Sequence, residues 1–164
     1  MKKYKLTTET LQFAGRTLHR IKAVKDFDSI KAGEFGGWIE NEKNLSQDDN
    51  AWIYGDAMVF DNAEVYGNAE VFDNAKVYGN AEVKGDAKVH DAVDYIVFKN
   101  FWSSGRYFTW TSSNNKWSVG CFYGTGEELI KKAYADSEKS GREYERVVRY
   151  VESILADEKK EKSN

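Results

Sequence analysis

The chain has 164 residues, with 24 Lys and Arg against 27 Asp and Glu, two His, one Cys and no Pro. This length fits one domain, and a hydrophobic fraction of 41% supplies a packed core, which excludes wholesale disorder. A single cysteine excludes both a disulfide framework and a zinc site built on several thiolates. The net charge of −3 excludes a generally basic nucleic-acid binder, so direct binding of nucleic acid is not expected.

The first 50 residues predict a strand and a cap that lead into the rest of the chain. The basic N-terminal residues are not followed by the apolar stretch typical of a signal peptide. No run of apolar residues approaches the length of about 20 that is needed to span a bilayer. We therefore expect a cytoplasmic protein without a membrane partner. Residues 18–24 predict a strand, and the segments 36–40 and 44–47 predict turns around a buried Trp38.

Residues 51–92 consist of seven hexads in succession. Alanine recurs every six residues from Ala51 to Ala87, and two positions after each alanine stands a β-branched residue, from Ile53 to Val89. A period of six does not fit a helix, but it fits a short extended stretch followed by a bend. The alanine and its β-branched partner then point inward, and a Gly/Asp-Asn/Asp pair makes each bend.

The six-residue phase extends upstream of the regular hexads. Counting back from Ala51 places Leu45 and Ile39 in the alanine phase, and the same count places Phe35 in the valine phase. We therefore expect the repeat to begin before residue 51 with a fading consensus.

The hexads resemble those of the hexapeptide-repeat left-handed β-helix family, whose coils take 18 residues. The segments HRIKAVKDF and GEFGGWIENEKNLSQ and the later GCFYGTGEEL block are similar to a group of phage and prophage proteins. In that group a Gly-Gly-Trp block opens the hexapeptide coils. The resemblance implies a mainly β fold, namely a short left-handed parallel β-helix with a C-terminal α+β module. It also implies a phage origin and association as homo-oligomers, with trimers favoured, but it supplies no settled biochemical activity.

After the last hexad the composition becomes aromatic and basic. Residues 95–98, 107–111 and 116–122 predict three strands, and S/T-x-x-E capping boxes at Thr125 and Ser140 predict the starts of two helices. We divide the chain into an N-terminal strand and cap, a hexapeptide-repeat β-helix, a C-terminal α+β cap and a charged, frayed tail. These regions are residues 1–50, 51–92, 93–158 and 159–164.

Aromatic residues at outward positions of the hexads form columns, because residues 18 positions apart stack on each other. One face then carries an apolar strip of a kind that monomers seldom leave bare, which predicts a subunit or partner interface. The alternative is that the rings merely stack along the β surface. The predicted interface residues are Met58, Phe60, Lys76, Tyr78, Tyr54 and Phe72.

The C-terminal cap places aromatic rings and cations in one sheet-like region. That combination suits a nucleotide-like ligand, although tryptophans in a small sheet also commonly pack against its helices. The candidate ligand-binding residues are Arg106, Trp110, Lys116, Trp117 and Tyr123.

The sequence offers few residues for catalysis or metal binding. His19 and His90 lie far apart in the chain, and Cys121 is expected to be a buried strand residue, so no metal-ligand spacing emerges. We expect no metal, no cofactor and no catalytic residue. Many hexapeptide β-helix proteins are CoA-dependent acyltransferases that use a histidine as general base. Acyl transfer is therefore the enzymatic alternative, although we expect His90 to be a surface residue.

These observations predict a non-enzymatic binding protein. Its phage resemblance implies an accessory protein, made in the host cytoplasm during infection, that binds a host protein or sequesters a nucleotide-like ligand as a counter-defence. Two non-catalytic roles of a different kind are also compatible with the sequence. One is a structural spacer of the virion. The second is an acidic mimic of nucleic acid, since residues 51–92 carry eight acidic residues and three lysines.

Overall fold

The computed structural model describes all 164 residues and has a mixed fold, with 35% strand and 26% helix. Two helices after the last strand, together with single 3₁₀ turns at Glu42–Asn44 and Ala92–Asp94, supply the helical share, so the fold is mixed and not mainly β as expected. The strands are β1 (Tyr4–Phe13), β2 (Arg16–Ala23), β3 (Phe35–Ile39), β4 (Trp52–Ile53), β5 (Met58–Val59), β6 (Glu64–Val65), β7 (Glu70–Val71), β8 (Lys76–Val77), β9 (Glu82–Val83), β10 (Lys88–Val89), β11 (Tyr95–Lys99), β12 (Tyr107–Thr111), β13 (Lys116–Val119) and β14 (Phe122–Gly124). The helices are α1 (Gly126–Asp136) and α2 (Glu138–Ser163).

Each hexad contributes one two-residue strand, and each of the first four pairs in parallel with the strand 18 residues further along the chain. Trp52 is aligned with Glu70, and Glu70 with Lys88. The hexad strands lie in three sheets, which contain β4, β7 and β10, then β5 and β8, then β6 and β9. The alanine and β-branched residues of the hexads are buried in one core of 21 residues, which confirms their predicted inward orientation.

The bends between these strands use left-handed backbone angles. Six of them have φ between +58° and +77°, although two of the residues are aspartate rather than glycine. Asp61 and Asp73 can adopt these angles because aspartate, with its short polar side chain, tolerates the left-handed region. The predicted role of the Gly/Asp position is confirmed in six of the seven hexads, whereas Asp91 in the seventh has a φ of −148° and caps the turn that follows. The six residues are Gly55, Asp61, Gly67, Asp73, Gly79 and Gly85.

The upstream phase differs from the prediction. Ile39 is aligned with Val59, and Leu45 with Val65, so both residues occupy valine positions rather than alanine positions. The offset is 20 residues there instead of 18, which means that the segment after Leu45 holds two additional residues. Counting in sixes across that segment therefore gave the wrong phase. Phe35 is exposed and pairs with a residue of β2 instead of entering the core.

An N-terminal hairpin closes one end of the core. Strands β1 and β2 pair antiparallel through a turn at Ala14 and Gly15, and β2 pairs with β3. Strand β2 overlaps the strand predicted over residues 18–24, whereas β1 was not predicted. Tyr4 and Phe27 pack edge-on against Trp52, which stands at a predicted outward position but is buried beneath them. The hairpin and the loop after it thus extend the core beyond the hexads.

Lys3 provides hydrogen bonds at this end of the core. Its Nζ is buried and donates to the backbone carbonyls of Asp49 and Ala51 at 2.9 and 2.7 Å, and it lies 3.6 Å from the Asp49 carboxylate. Burial lowers the pKa of Lys3 to about 8, partly offset by Asp49. A lysine side chain therefore takes the place of a preceding strand.

The C-terminal module closes the other end. Strands β11 to β14 form an antiparallel sheet in chain order, and both helices pack on it around a second core. Three of these strands overlap the predicted ones, and β14 is additional. Helix α1 has the predicted Thr125 capping box. Helix α2 begins after Ser137 rather than Ser140, because the Ser137 side chain accepts the Ser140 N–H, and it continues to Ser163 through the predicted frayed tail.

Three hydroxyl groups of the module meet the last strand of each of the three sheets. The Tyr95 hydroxyl donates to the Lys76 carbonyl at 2.9 Å. The Glu82 N–H donates to the Thr109 hydroxyl at 2.9 Å, and the Lys88 N–H donates to the hydroxyl of Ser113 at 2.8 Å. Backbone groups that a further strand would otherwise satisfy are thus paired by side chains.

The contact between Gly85 and Tyr123 predicts an unequal cost for two matched glycine substitutions. Gly79 and Gly85 have φ of +68° and +67°, so alanine costs each about 1 kcal/mol of backbone strain. A Cβ on Gly85 would overlap the Tyr123 hydroxyl, whereas none of the chain lies within 4 Å of a Cβ on Gly79. We expect Gly85→Ala to lower the free energy of unfolding by about 1–3 kcal/mol more than Gly79→Ala in urea titrations. Equal losses would contradict the close packing of Tyr123 against Gly85.

The buried Lys3 predicts a pH dependence of stability. Its pKa is about 8 in the folded protein and 10.5 ordinarily, so the unfolded chain holds more protons between these values. The free energy of unfolding of the wild type should therefore rise over this interval relative to Lys3→Met, by about 2 kcal/mol. Urea titrations at several pH values measure this difference. The control is Lys2→Met, since Lys2 is exposed, and it should follow the wild type. If the difference in the free energy of unfolding between the wild type and Lys3→Met did not change with pH, the prediction would be contradicted.

Candidate binding cleft

The two tryptophans predicted to stack on a ligand are parts of the second core. Trp110 and Trp117 are only 3% and 1% exposed, and the indole N–H of Trp110 donates to Asn115 at 2.8 Å. Buried rings leave no face on which a nucleotide base could stack. The expected aromatic platform is therefore not formed, because the sheet uses these residues to pack against its helices.

The other three predicted ligand residues are dispersed. The Tyr123 hydroxyl donates to Asp86 at 3.1 Å and accepts from Asn114 at 2.8 Å, so it ties the module to the last hexads. Burial raises the pKa of Tyr123, and hydrogen bonds, first from Asn114, lower the pKa of Asp86. The Arg106 guanidinium lies over Gly120, and Lys116 is half-buried at the start of β13. They form no common pocket with the tryptophans.

Part of the predicted interface strip is covered by the chain's own hairpin. Phe60 is buried beneath Phe13, whose ring centre lies 5.6 Å away. Arg16 pairs with Asp61, and its guanidinium lies 5.4 Å from the centre of the Phe60 ring. Lys76 reaches over the Phe13 ring at 5.5 Å. Met58 packs into the same cluster. This cover was not predicted, because Phe13 belongs to β1, which lies outside the repeat and was not predicted as a strand.

The predicted columns of stacked rings are present. Tyr54, Phe72 and His90 lie nearly parallel, with ring centres 4.7 and 4.4 Å apart. The Tyr54 hydroxyl donates to Glu70 at 2.9 Å, and burial together with Glu70 raises the pKa of Tyr54 to about 12. His90 is exposed, as predicted, and its Nδ1 lies 3.3 Å from the Asp73 carboxylate.

Tyr78 is the interface residue that stays widely accessible. It stacks on Phe60 with ring centres 5.3 Å apart, yet half of its surface is exposed. Tyr78 forms one wall of a cleft of about 470 Å³ where the hexads meet the C-terminal sheet. We call this the junction cleft. It is lined by Tyr78, Gly79, Asn80, Ala92, Tyr95, Ile96, Val97 and Tyr107.

The module supplies the other walls of the junction cleft. Tyr95 is held by its hydroxyl on the Lys76 carbonyl, and burial raises its pKa to about 12. Tyr95 and Val97 pack against the first core, while Ile96 packs against the second. Tyr107 is 39% exposed, and the Lys99 ammonium lies 5.7 Å from the centre of its ring. Because side chains alternate between the two faces of a strand, the predicted strand 95–98 could have indicated that odd and even residues pack against different cores. The prediction did not say which face each residue occupies.

No group of three or more His, Cys, Asp or Glu side chains is placed to hold a metal ion. Cys121 is exposed at the turn between β13 and β14, not buried in a strand as expected, because the strand ends at Val119. Neither helix has an apolar stretch of the length and hydropathy that crossing a bilayer requires.

Comparisons with known proteins give a partial relationship. No family model matches the chain. The chain is 39% identical over 62 residues to the Escherichia coli (strain K12) protein named "Uncharacterized acetyltransferase YdcK". The match covers 33% of this chain and 19% of that protein, so the chain spans about a fifth of the relative's length. This partial match is consistent with a hexapeptide-repeat protein.

The different burial of tryptophan and tyrosine predicts different costs for truncation. We expect Trp117→Ala to lower the free energy of unfolding by about 3–5 kcal/mol, because a large core side chain is removed. Tyr107→Ala should cost less than about 1 kcal/mol, since that ring lies in the open cleft. Urea titrations compare the two variants. A small loss for Trp117→Ala would return that residue to the set of candidate ligand contacts.

Proposed function

We propose that this chain is a non-enzymatic binding protein built on a short left-handed β-helix, and that its recognition surface is the junction cleft. The 18-residue parallel pairing and the inward alanine and valine residues support the β-helix. The observation that carries the binding function is the cleft itself. It gathers three tyrosine rings, of which Tyr78 and Tyr107 are exposed, at a place that both halves of the chain help to build.

The chemistry of the cleft favours a protein partner over a nucleotide-like ligand. Tyrosine is enriched among the residues that dominate protein interfaces, since it offers a large apolar area with one polar group. The candidate phosphate-binding residue Arg106 lies over Gly120, and it is not among the residues that line the cleft. We therefore propose that the cleft binds apolar side chains of another protein.

The biological setting is proposed from the sequence resemblance. The Gly-Gly-Trp block and the GCFYGTGEEL block are similar to segments of phage and prophage proteins. We propose that the chain acts in the cytoplasm of an infected host cell and that its partner is a host protein of the defence response. This step depends on association with that group and not on residue chemistry.

A photo-crosslinking experiment tests the cleft. Benzoylphenylalanine replaces Tyr78, Tyr107 or Tyr134 in protein produced in bacterial cells. Tyr134 is the control, since it is 38% exposed on α1 against 39% for Tyr107 but lies outside the cleft. We expect illumination to join the same bacterial protein to positions 78 and 107 and not to position 134. Mass spectrometry of the adducts identifies that protein.

Two outcomes of this experiment contradict the proposed function. One is the absence of any heterologous adduct at positions 78 and 107. The other is the same adduct at all three positions, which would indicate non-specific contact with exposed tyrosines. Adducts between two copies of the chain are recognised by their mass and are scored separately.

Acyl transfer is a second candidate function, and two observations favour it. The chain is similar in part to a protein named as an acetyltransferase. In addition, the His90–Asp73 pair has the arrangement of a general base that a carboxylate orients, and Nε2 has no hydrogen-bond partner within the chain. His90 does not line the junction cleft, so this candidate needs an acceptor site elsewhere.

An assay with acetyl-CoA separates the two functions. The wild type and His90→Ala are incubated with acetyl-CoA and pooled amine and hydroxyl acceptors, and free CoA thiol is measured. Because we propose a binding protein, we expect both proteins to release CoA at the same background rate. Release by the wild type that His90→Ala reduces by about 100-fold or more would instead establish acyl transfer through this histidine.

A further inference from the structure

Strand β11 is the open edge of the C-terminal sheet. It pairs with β12 on one side, and the sheet contains no strand on its other side. A backbone hydrogen bond lies just beyond each end of the strand. The Ser112 N–H donates to the Asp94 carbonyl, and the Asn100 N–H donates to the Arg106 carbonyl. Antiparallel hydrogen bonding alternates by residue, so the even-numbered residues of β11 face β12. The N–H and C=O groups of Tyr95, Val97 and Lys99 therefore point outward along the open edge.

The other edge strands of the antiparallel sheets are protected. Strand β1 has an irregular register between Leu6 and Thr10, and it carries Lys5 and Glu9. Strand β14 has only three residues. Natural sheets use such bulges, charges and short strands to prevent unwanted pairing. Strand β11 is regular, has five residues and is apolar apart from Lys99 at its C-terminal end, so this single lysine is its only such device.

Apolar surface borders the open edge on both faces of the sheet. The junction cleft lies on one face, and on the other a second cleft of about 680 Å³ is lined by Ile96, Ile154 and Leu155 among others. Four of the nine large hydrophobic residues that the chain leaves exposed lie on or beside these surfaces, including Tyr150, which packs edge-on against Phe98. Those four are Tyr78, Val93, Tyr107 and Tyr150.

We propose that β11 pairs antiparallel with β11 of a second copy of this chain, about a twofold axis at Val97. Two copies present the same outward residues, so this register gives every outward N–H and C=O a partner. It sets Ile96 beside Phe98 of the second copy on the helix face. The single charged residue, Lys99, meets Tyr95 of the second copy. A register that placed Lys99 opposite Lys99 of the second copy would bring two like charges together.

This pairing creates an eight-stranded sheet and joins the two junction clefts. A twofold axis perpendicular to the sheet keeps both clefts on the same face, so they become neighbours across the new interface. The dimer does not depend on what the cleft binds, and it differs from association of the hexad walls as a trimer.

The first test measures molar mass by sedimentation velocity across micromolar concentrations. We expect a dimer of the 18.8 kDa chain, and Val97→Pro should be a monomer with an unchanged far-ultraviolet spectrum. Proline removes the outward N–H of Val97 without removing a bond to β12, and edge strands tolerate it. A monomeric or trimeric wild type overturns the proposal, and so does a dimer that Val97→Pro leaves intact.

A disulfide trap keeps the test decisive if Val97→Pro does not fold. In the background Cys121→Ser, Val97→Cys places two thiols opposite each other, with Cα atoms about 5.5 Å apart, which is within disulfide range. Mild oxidation should yield a covalent dimer. Val93→Cys is the exposed control, because residue 93 does not lie opposite residue 93 of the second copy in this register. It should stay monomeric in electrophoresis without reducing agent. Equal cross-linking of both variants, or of neither, overturns the proposal.

The two sets of experiments fail independently. A wild-type monomer that still gives a heterologous adduct at position 107 would overturn the dimer and leave the proposed function standing. A dimer without such an adduct would do the reverse.

Discussion

Backbone hydrogen bonding at the two ends of the hexads is the constraint on which the structure depends. Strands of two residues in three parallel sheets leave N–H and C=O groups unpaired at both ends, and buried unpaired groups are costly. Lys3 pairs the carbonyls at one end, and the hydroxyls of Tyr95, Thr109 and Ser113 pair groups at the other. The sheet of β5 and β8 is instead continued at its first end by β3, β2 and β1. At the positions where side chains complete a sheet, backbone pairing stops. The short repeat therefore depends on both flanking regions for its stability.

The two regions that cover the ends of the repeat also determine which of its surfaces stay exposed. The hairpin that supplies Lys3 continues over the hexads and covers Phe60, while the module that supplies Tyr95 leaves a cleft beside Tyr78. The recognition surface that we propose therefore lies where the repeat meets the module. The partial match to a protein named as an acetyltransferase covers a third of the chain, and a shared repeat does not by itself transfer an activity.

Features with a local or periodic cause could be predicted from the sequence. The hexad period determined which alanine and valine residues are buried, where the left-handed bends fall and which rings stack, as for Tyr54 on Phe72. The capping box at Thr125 likewise determined where α1 begins. Of the candidate site, only Tyr78 was predicted, because it belongs to the periodic region.

The remaining features were decided by the tertiary structure. Two additional residues after Leu45 changed the phase of the first hexads, and a period cannot reveal its own interruption. Burial of Trp110 depends on helices that follow it in the chain, and the cover on Phe60 comes from Phe13, 47 positions earlier. Such contacts join segments that have no common repeat and no short-range signal. The sequence by itself therefore determined the repeating interior, whereas long-range packing of the flanks decided which outer surfaces stayed open.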